Sequence, residues 1–303
     1  MFNTEARVRL SEFADFFEDV ARDGEFFTTG KIPTRAKAKL VPVGAEKYLP
    51  ELLRSLDGVA GVVCPAELVD KIPEGLAVAV SPSPQAAVYK VHVALAERPD
   101  HFWTSFETRI APSARIHPRA FVAERDVVIG ENTVVGPNAT ILERTIIGDD
   151  CQIGANTVLG TEAFETVKVD GRERLQRQVG GVKVGNRVVF LSGDTVARSV
   201  FPVFSKIGDD CFFDNLVYVG HDALIAPGCK MALGALIAGR VELGAGAYIG
   251  PNATVSNGLK VGAGATVTLG AAATRDVPAG TRVSGNFAIE HAKFLDNLKR
   301  SLR

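Results

Sequence analysis

The stretch IGDDCF FDNLVY VGHDAL IAPGCK MALGAL IAGRVE LGAGAY IGPNAT VSNGLK VGAGAT, residues 207–266, falls into consecutive sixes. In each six the first residue is apolar, the second is most often Gly or Ala, and the fifth is mostly small. On an extended strand, residues two apart share a face, so the fifth residue of one six and the first of the next point the same way. Between them lie Gly, Asn, Asp and Pro, which favour turns. Each six is therefore a short strand plus a corner, and three sixes close one lap. Laps stack backbone to backbone at about 4.8 Å, so about 25 sixes predict a prism about 40 Å long in which each lap buries its inner face only against its neighbours.

The same period extends in both directions. From Ile129 it reads IGENTV, VGPNAT, ILERTI, IGDDCQ, IGANTV, with Thr133, Ala139, Thr145, Cys151 and Thr157 in the small fifth slot. An earlier run starts at Ile110, with one extra residue before Ile129, and a later one starts at Val184. After the insertion PVFSK, residues 202–206, the register resumes at Ile207 and is expected to hold for 13 sixes, to about Ser284. The prism thus spans 106–284, interrupted by the long charged loop 161–181. A loop of that length without periodicity is a candidate for function.

Residues 1–105 lack the repeat. VRLSEFADFFEDVAR predicts an amphipathic helix; AKLVPVG, VAGVVCP and LAVAVSPS predict strands; AEKYLPELLRSL and PQAAVYKVHVALAER predict helices. This is a small α/β domain with no GxGxxG or P-loop after any strand. Residues 285–303 predict a short basic amphipathic helix, expected to cap the last lap. The formal net charge of −1 gives no electrostatic case for nucleic acid or an anionic membrane. No segment reads as a signal peptide or a membrane span, so a cytoplasmic protein is expected. The four cysteines, Cys64, Cys151, Cys211 and Cys229, form no CxxC, and three occupy the inward slot, so they read as reduced core residues.

His221 is the third residue of VGHDAL, a corner position facing solvent or a neighbouring subunit. Eighteen residues on, the equivalent place one lap up is Gly239. A glycine there exposes its backbone N–H, and an N–H beside a histidine is the raw material of an oxyanion hole next to a general base. Asp214, on the preceding corner, is a candidate acceptor for the other imidazole N–H, which would fix the tautomer. The rival chemistry is a metal site, but the prism holds only His117 and His221, so none is expected. No serine sits in a GxSxG setting.

An α/β domain, a hexapeptide prism containing DNLVYVGHD and a helical tail together resemble the bacterial UDP-3-O-acylglucosamine N-acyltransferases of lipid A biosynthesis. The likeness covers nearly the whole chain. LVPVGAEKYLPEL looks like that family's uridine-binding segment, and GDDCFFDNLVYVGHDALIAPGCKMALGALIAGRVELG like its catalytic block. The resemblance implies a left-handed parallel β-helix. It implies His221 as catalytic base, Asp214 as its carboxylate partner, Gly239 as oxyanion donor, Tyr48 at the uracil, and Asn215 and Asn257 as substrate contacts. It also implies a homotrimer with active sites between prisms. Five features depart from the family. Pro42 stands where a stacking Phe is usual, Ala163-Phe164-Glu165 replaces Gly-Phe-Gly, and Ala197-Arg198-Ser199 replaces Asp-Arg-Gly. Gly258 stands where some members have a second histidine, and the tail is short.

The expected activity is therefore acyl transfer from a thioester to the amine of a nucleotide-linked amino sugar, with no bound cofactor. The donor is either an acyl carrier protein bearing a 3-hydroxyacyl chain or coenzyme A bearing a short acyl group for another glycan. A third possibility is a non-catalytic scaffold with a nucleotide-binding domain.

Overall fold

The computed structural model describes residues 1–3, 6–32, 34–285 and 288–301. From Arg109 the chain winds into three parallel sheets of eight, eight and nine strands, each strand pairing with the one a lap away. The eighteen-residue step is explicit in the registers Lys230↔Tyr248↔Thr266, Leu236↔Thr254↔Ala272 and Leu224↔Glu242↔Lys260. Loop 161–181 is accommodated between Thr145 and its partner Val182, and the PVFSK insertion between Val182 and Ser205. The register does not run unbroken to Ser284. Thr266 pairs with Arg282 and Val267 with Val283, two residues short of a lap. There the Asp276 carboxylate accepts the Lys260 N–H at 2.8 Å and Val277 makes a lone bridge to Val261, which tightens the final turn.

The interior follows from the sixes. Ile129, Val135, Ile141, Ile147 and Ile153 from first positions, and Ala139, Cys151, Cys211, Ala223 and Cys229 from fifth positions, are all buried in one continuous core. Phe190 and Phe213 stack from adjacent laps, ring centroids 4.4 Å apart. The corners are turned by the fourth residue, which takes a left-handed conformation at Asn132, Asp150, Asn156, Asp210, Asp222 and Asn252. Asn and Asp tolerate that region better than other non-glycine residues, which is why they recur there.

The N-terminal domain is a five-stranded sheet in the order Asp19–Arg22, Ala77–Val80, Val59–Cys64, Lys39–Pro42, Thr28–Thr29, antiparallel only at the first pairing. Helices Leu49–Arg54 and Pro84–Ala96 match the predicted segments. The predicted first helix does not form. Leu10–Phe16 is a 3-10 segment between strands Val8–Arg9 and Asp19–Arg22. Leu10 and Phe13 are its buried residues, and a spacing of three matches the 3-10 turn. Its entry is held by Glu12, which accepts the Arg9 N–H at 2.7 Å, and by Asp23, which accepts the Ser11 N–H at 3.0 Å.

Loop 161–181 is a strap anchored at its base, with its outer strand exposed. It forms a hairpin of Thr166–Val169 and Arg172–Leu175. At its base, Gln178 both accepts the Ala163 N–H at 3.0 Å and donates to the Ala163 carbonyl at 2.6 Å, all in a buried setting. Val179 is buried in the N-terminal domain's core, and Arg144 of the prism donates to the Val179 carbonyl at 2.7 Å. The tail helix His291–Ser301 buries no residue, so it does not cap the last lap. Among the described residues no helix is long and apolar enough to cross a membrane.

Candidate active site

The corner that follows strand Tyr218–Val219 carries His221 and Asp222. One lap on, the corner after Leu236–Ile237 carries Gly239 and Arg240. The stacking is direct: the Arg240 N–H donates to the His221 carbonyl at 2.7 Å. Gly239 lies flat against the ring. A Cβ built at Gly239 would lie 2.4 Å from His221 Nε2 and within 2.8 Å of both adjacent ring carbons. This glycine is required for space, since its φ is not in the left-handed region. Gly239 is buried, and its N–H has no hydrogen-bond acceptor among the described residues. Asn257 is one lap further up the same column and exposed, and Gly258 beside it donates to the Gly239 carbonyl at 2.9 Å.

The imidazole's carboxylate partner is Asp222, not Asp214. Nδ1 of His221 lies 2.7 Å from Asp222 Oδ2. Asp222 is itself held by Ser205, whose hydroxyl accepts the Asp222 N–H at 2.9 Å, and by the Val200 N–H at 3.3 Å from Oδ2. Arg35, from the N-terminal domain, donates to the carbonyls of Asp222 and Phe204. Asp214 and Asn215 sit on a different corner, before the strand that leads to His221. There the Asp214 carboxylate accepts the N–H groups of Asn215 and Leu233. A strand separates the two corners, so the pairing expected of Asp214 cannot form within one chain.

Of the two surroundings expected for a corner histidine, solvent or a neighbouring subunit, the first does not hold within the chain: His221 is 5% exposed. Glu165 of the strap covers it, with Oε2 at 3.3 Å from Nε2. Glu165 also pairs with Lys31 of the N-terminal domain, and lies 3.7 Å from Arg240 Nη1. Burial opposes a charge on the ring, but the hydrogen bonds to Asp222 and Glu165 outweigh it and hold His221 above the ordinary histidine range. Burial likewise works to raise Glu165, yet His221, Lys31 and Arg240 prevail and hold its carboxyl at about 2. Among the described residues, no group of three or more His, Cys, Asp and Glu side chains forms a metal-binding cluster.

A cleft of about 690 Å³ opens at the carboxyl ends of the N-terminal domain's parallel strands, where open α/β sheets bind their ligands. Thr29, Gly30 and Lys31 line one side, Ser83 and Gln85 at the start of helix Pro84–Ala96 another, and Lys168 of the strap a third. Pro42 reaches this cleft; Tyr48 is not among its lining residues and is 43% exposed, with Lys47 Nζ 5.1 Å from its ring.

Sequence reasoning missed Asp222, Glu165, Lys31 and Arg240. A His-Asp dipeptide at a corner whose fourth residue is left-handed was the available signal for Asp222. Glu165 was visible only as a departure from a Gly-Phe-Gly pattern.

Residues 126–161 match the family described as bacterial transferase hexapeptide (six repeats). Over 165 residues, 54% of this chain and 48% of the relative, the chain is 43% identical to the UDP-3-O-acylglucosamine N-acyltransferase of Maricaulis maris. It is 32% identical over 108 residues, 35% of this chain and 31% of the relative, to UDP-3-O-acylglucosamine N-acyltransferase 1 of Francisella tularensis subsp. holarctica. Among solved structures, the UDP-N-acetylglucosamine acyltransferase from Campylobacter jejuni aligns with 64% of this chain and 83% of its own, with TM-score 0.48 and 23% identity. The chain spans about a third to a half of the length of these curated relatives. It carries transferase hexapeptide repeats on a mainly β architecture of three long parallel sheets, and over the matched segments its sequence is similar to UDP-3-O-acylglucosamine N-acyltransferases.

Proposed function

We propose that this chain transfers an acyl group from a thioester to the amine of a nucleotide-linked amino sugar. The observation that carries this is the contact between the His221 ring and Gly239, whose buried N–H has no acceptor among the described residues. His221 Nε2 takes a proton from the amine as its nitrogen bonds to the thioester carbon. The oxygen of the tetrahedral intermediate accepts the Gly239 N–H. The C–S bond then breaks, His221 returns the proton to the departing sulfur, and an amide and a free thiol result. Asp222 holds the ring in the tautomer that leaves Nε2 available. The nucleotide occupies the cleft at the strand ends, with Lys31, Lys168 and the first N–H groups of helix Pro84–Ala96 facing its phosphates.

The active assembly is a homotrimer. Leu216, Leu233 and Leu269 stand exposed along one corner of the prism, with Phe212 and Tyr248 on the sheet beside it, and this apolar stretch supports association of copies. Sedimentation at micromolar concentration tests it, and a monomer there defeats it.

Incubation with a UDP-linked amino sugar and either carrier-bound 3-hydroxyacyl or acetyl-CoA, with the product detected by mass, tests the activity and separates the two donors. His221→Ala is expected to lower turnover by about two orders of magnitude or more. A His221→Ala protein that turns over normally removes His221 from the reaction, and inertness toward every thioester supports a scaffold instead.

A further inference from the structure

The mechanism above needs a neutral, accessible Nε2, and the site as folded covers it. Both ring nitrogens of His221 face carboxylates: Asp222 on its own corner and Glu165 from the strap. The other charged groups near the ring are Arg240 from the next lap and, from the N-terminal domain, Lys31 and Arg35, with Glu242 close to Arg35 and Asp222. Glu165 is held in place through its backbone: its N–H donates to the Ala163 carbonyl at 3.1 Å and its carbonyl accepts the Gln176 N–H at 2.7 Å. Its side chain is the movable part, and among the described residues Lys31 is its only partner that also lines the cleft. One ammonium is therefore shared between the carboxylate that covers the base and the cavity assigned to the nucleotide.

We propose that Lys31 and Glu165 form an acceptor-specificity relay, in which the diphosphate of a nucleotide-linked acceptor draws Lys31 away from Glu165 and the loosened carboxylate releases Nε2 of His221. This rests on the acyl-transfer function proposed for His221. A diphosphate carries more charge than a carboxylate, and the Lys31 side chain is 44% exposed on a flexible stem, so it can exchange partners. Arg240, only loosely engaged at 3.7 Å, is where the freed Glu165 carboxylate settles. An amino sugar without the anionic group leaves the base covered. Discrimination between the two acceptors therefore appears in kcat as well as in KM.

The sign of one measurement decides the matter. Ring C–H resonances of His221 are followed by NMR against pH, with and without saturating UDP, in the wild type, Glu165→Gln and Lys31→Met. An anion that merely binds nearby favours the imidazolium and moves the titration to higher pH. The relay moves it to lower pH, because the carboxylate on Nε2 departs. The expected results are a downward shift with UDP in the wild type, a titration already lower in Glu165→Gln, and no downward shift with UDP in either variant. An unmoved or upward-shifted wild type, or a Glu165→Gln protein that responds like the wild type, overturns the relay. The readout needs no turnover, so a His221→Ala enzyme with full activity would defeat the proposed mechanism while leaving this result to stand or fall alone.

Discussion

Nδ1 of His221 lies 2.7 Å from Oδ2 of Asp222, its immediate neighbour in the chain. The left-handed φ of 59° at Asp222 turns the corner so that consecutive residues meet through their side chains. Asp222→Asn removes the negative charge and can turn an NH2 donor toward Nδ1, which favours the wrong tautomer, and turnover should fall by roughly two to four orders of magnitude. Asp214→Asn, which disturbs only a neighbouring corner, should lose far less. Steady-state kinetics on both variants checks this, and the reverse ranking would restore Asp214 to the mechanism.

The fit of Gly239 against the ring leads to a second test. In Gly239→Ala the added methyl, 2.4 Å from Nε2, must push the imidazole aside. The backbone tolerates alanine there, so the cost falls on packing, about 1–3 kcal/mol. Turnover should drop by about 10²–10³ while the thermal transition stays cooperative. A crystal structure of the variant should show the ring displaced.

The pH profile follows from His221. A base must be neutral, so kcat/KM falls as pH drops through the raised His221 value, and the acid limb lies above the ordinary 6.5. The linked stability has the opposite sense. A raised folded-state value contributes stability that is fully present below the unfolded value and is lost as pH rises through the folded one. Initial rates and urea midpoints over the same pH series should show both trends.

Inside the prism, Asp194 occupies a small fifth slot and is 1% exposed. Burial pushes its carboxyl up to about 7, against the Val217 N–H, which donates to Oδ1 at 2.9 Å. The stability it contributes is present below the unfolded value of 3.8 and lost as pH rises through about 7. Asp194→Asn keeps the acceptor and removes the ionisation. The variant should unfold at higher urea than the wild type on the alkaline side of neutrality, with the advantage shrinking toward pH 4. An equal midpoint at all pH values would contradict the assignment.

The strap depends on Gln178. Gln178→Ala leaves the buried N–H of Ala163 unpaired, at about 1–3 kcal/mol, and its carbonyl with the Glu165 N–H alone. Hydrogen exchange across 166–175 should quicken while the prism's amides stay protected. Uniform protection would mean that the strap is held elsewhere.

The sixes made the prism legible because the pattern is local: a strand, a corner and an inward small residue recur whatever the rest of the chain does. The step from His221 to Gly239 was legible for the same reason, since a fixed lap converts sequence distance into contact. Tertiary structure decided the rest. Leu10–Phe16 carries an amphipathic pattern, but its flanking strands and the carboxylates of Glu12 and Asp23 select a 3-10 segment. Asp214 was a misplaced partner because a lap has three corners, and only coordinates show which residues share one. Glu165 and Lys31 reach His221 from segments with no period at all. Their meeting is fixed by how the strap and the N-terminal domain pack against the prism, which no repeat length encodes.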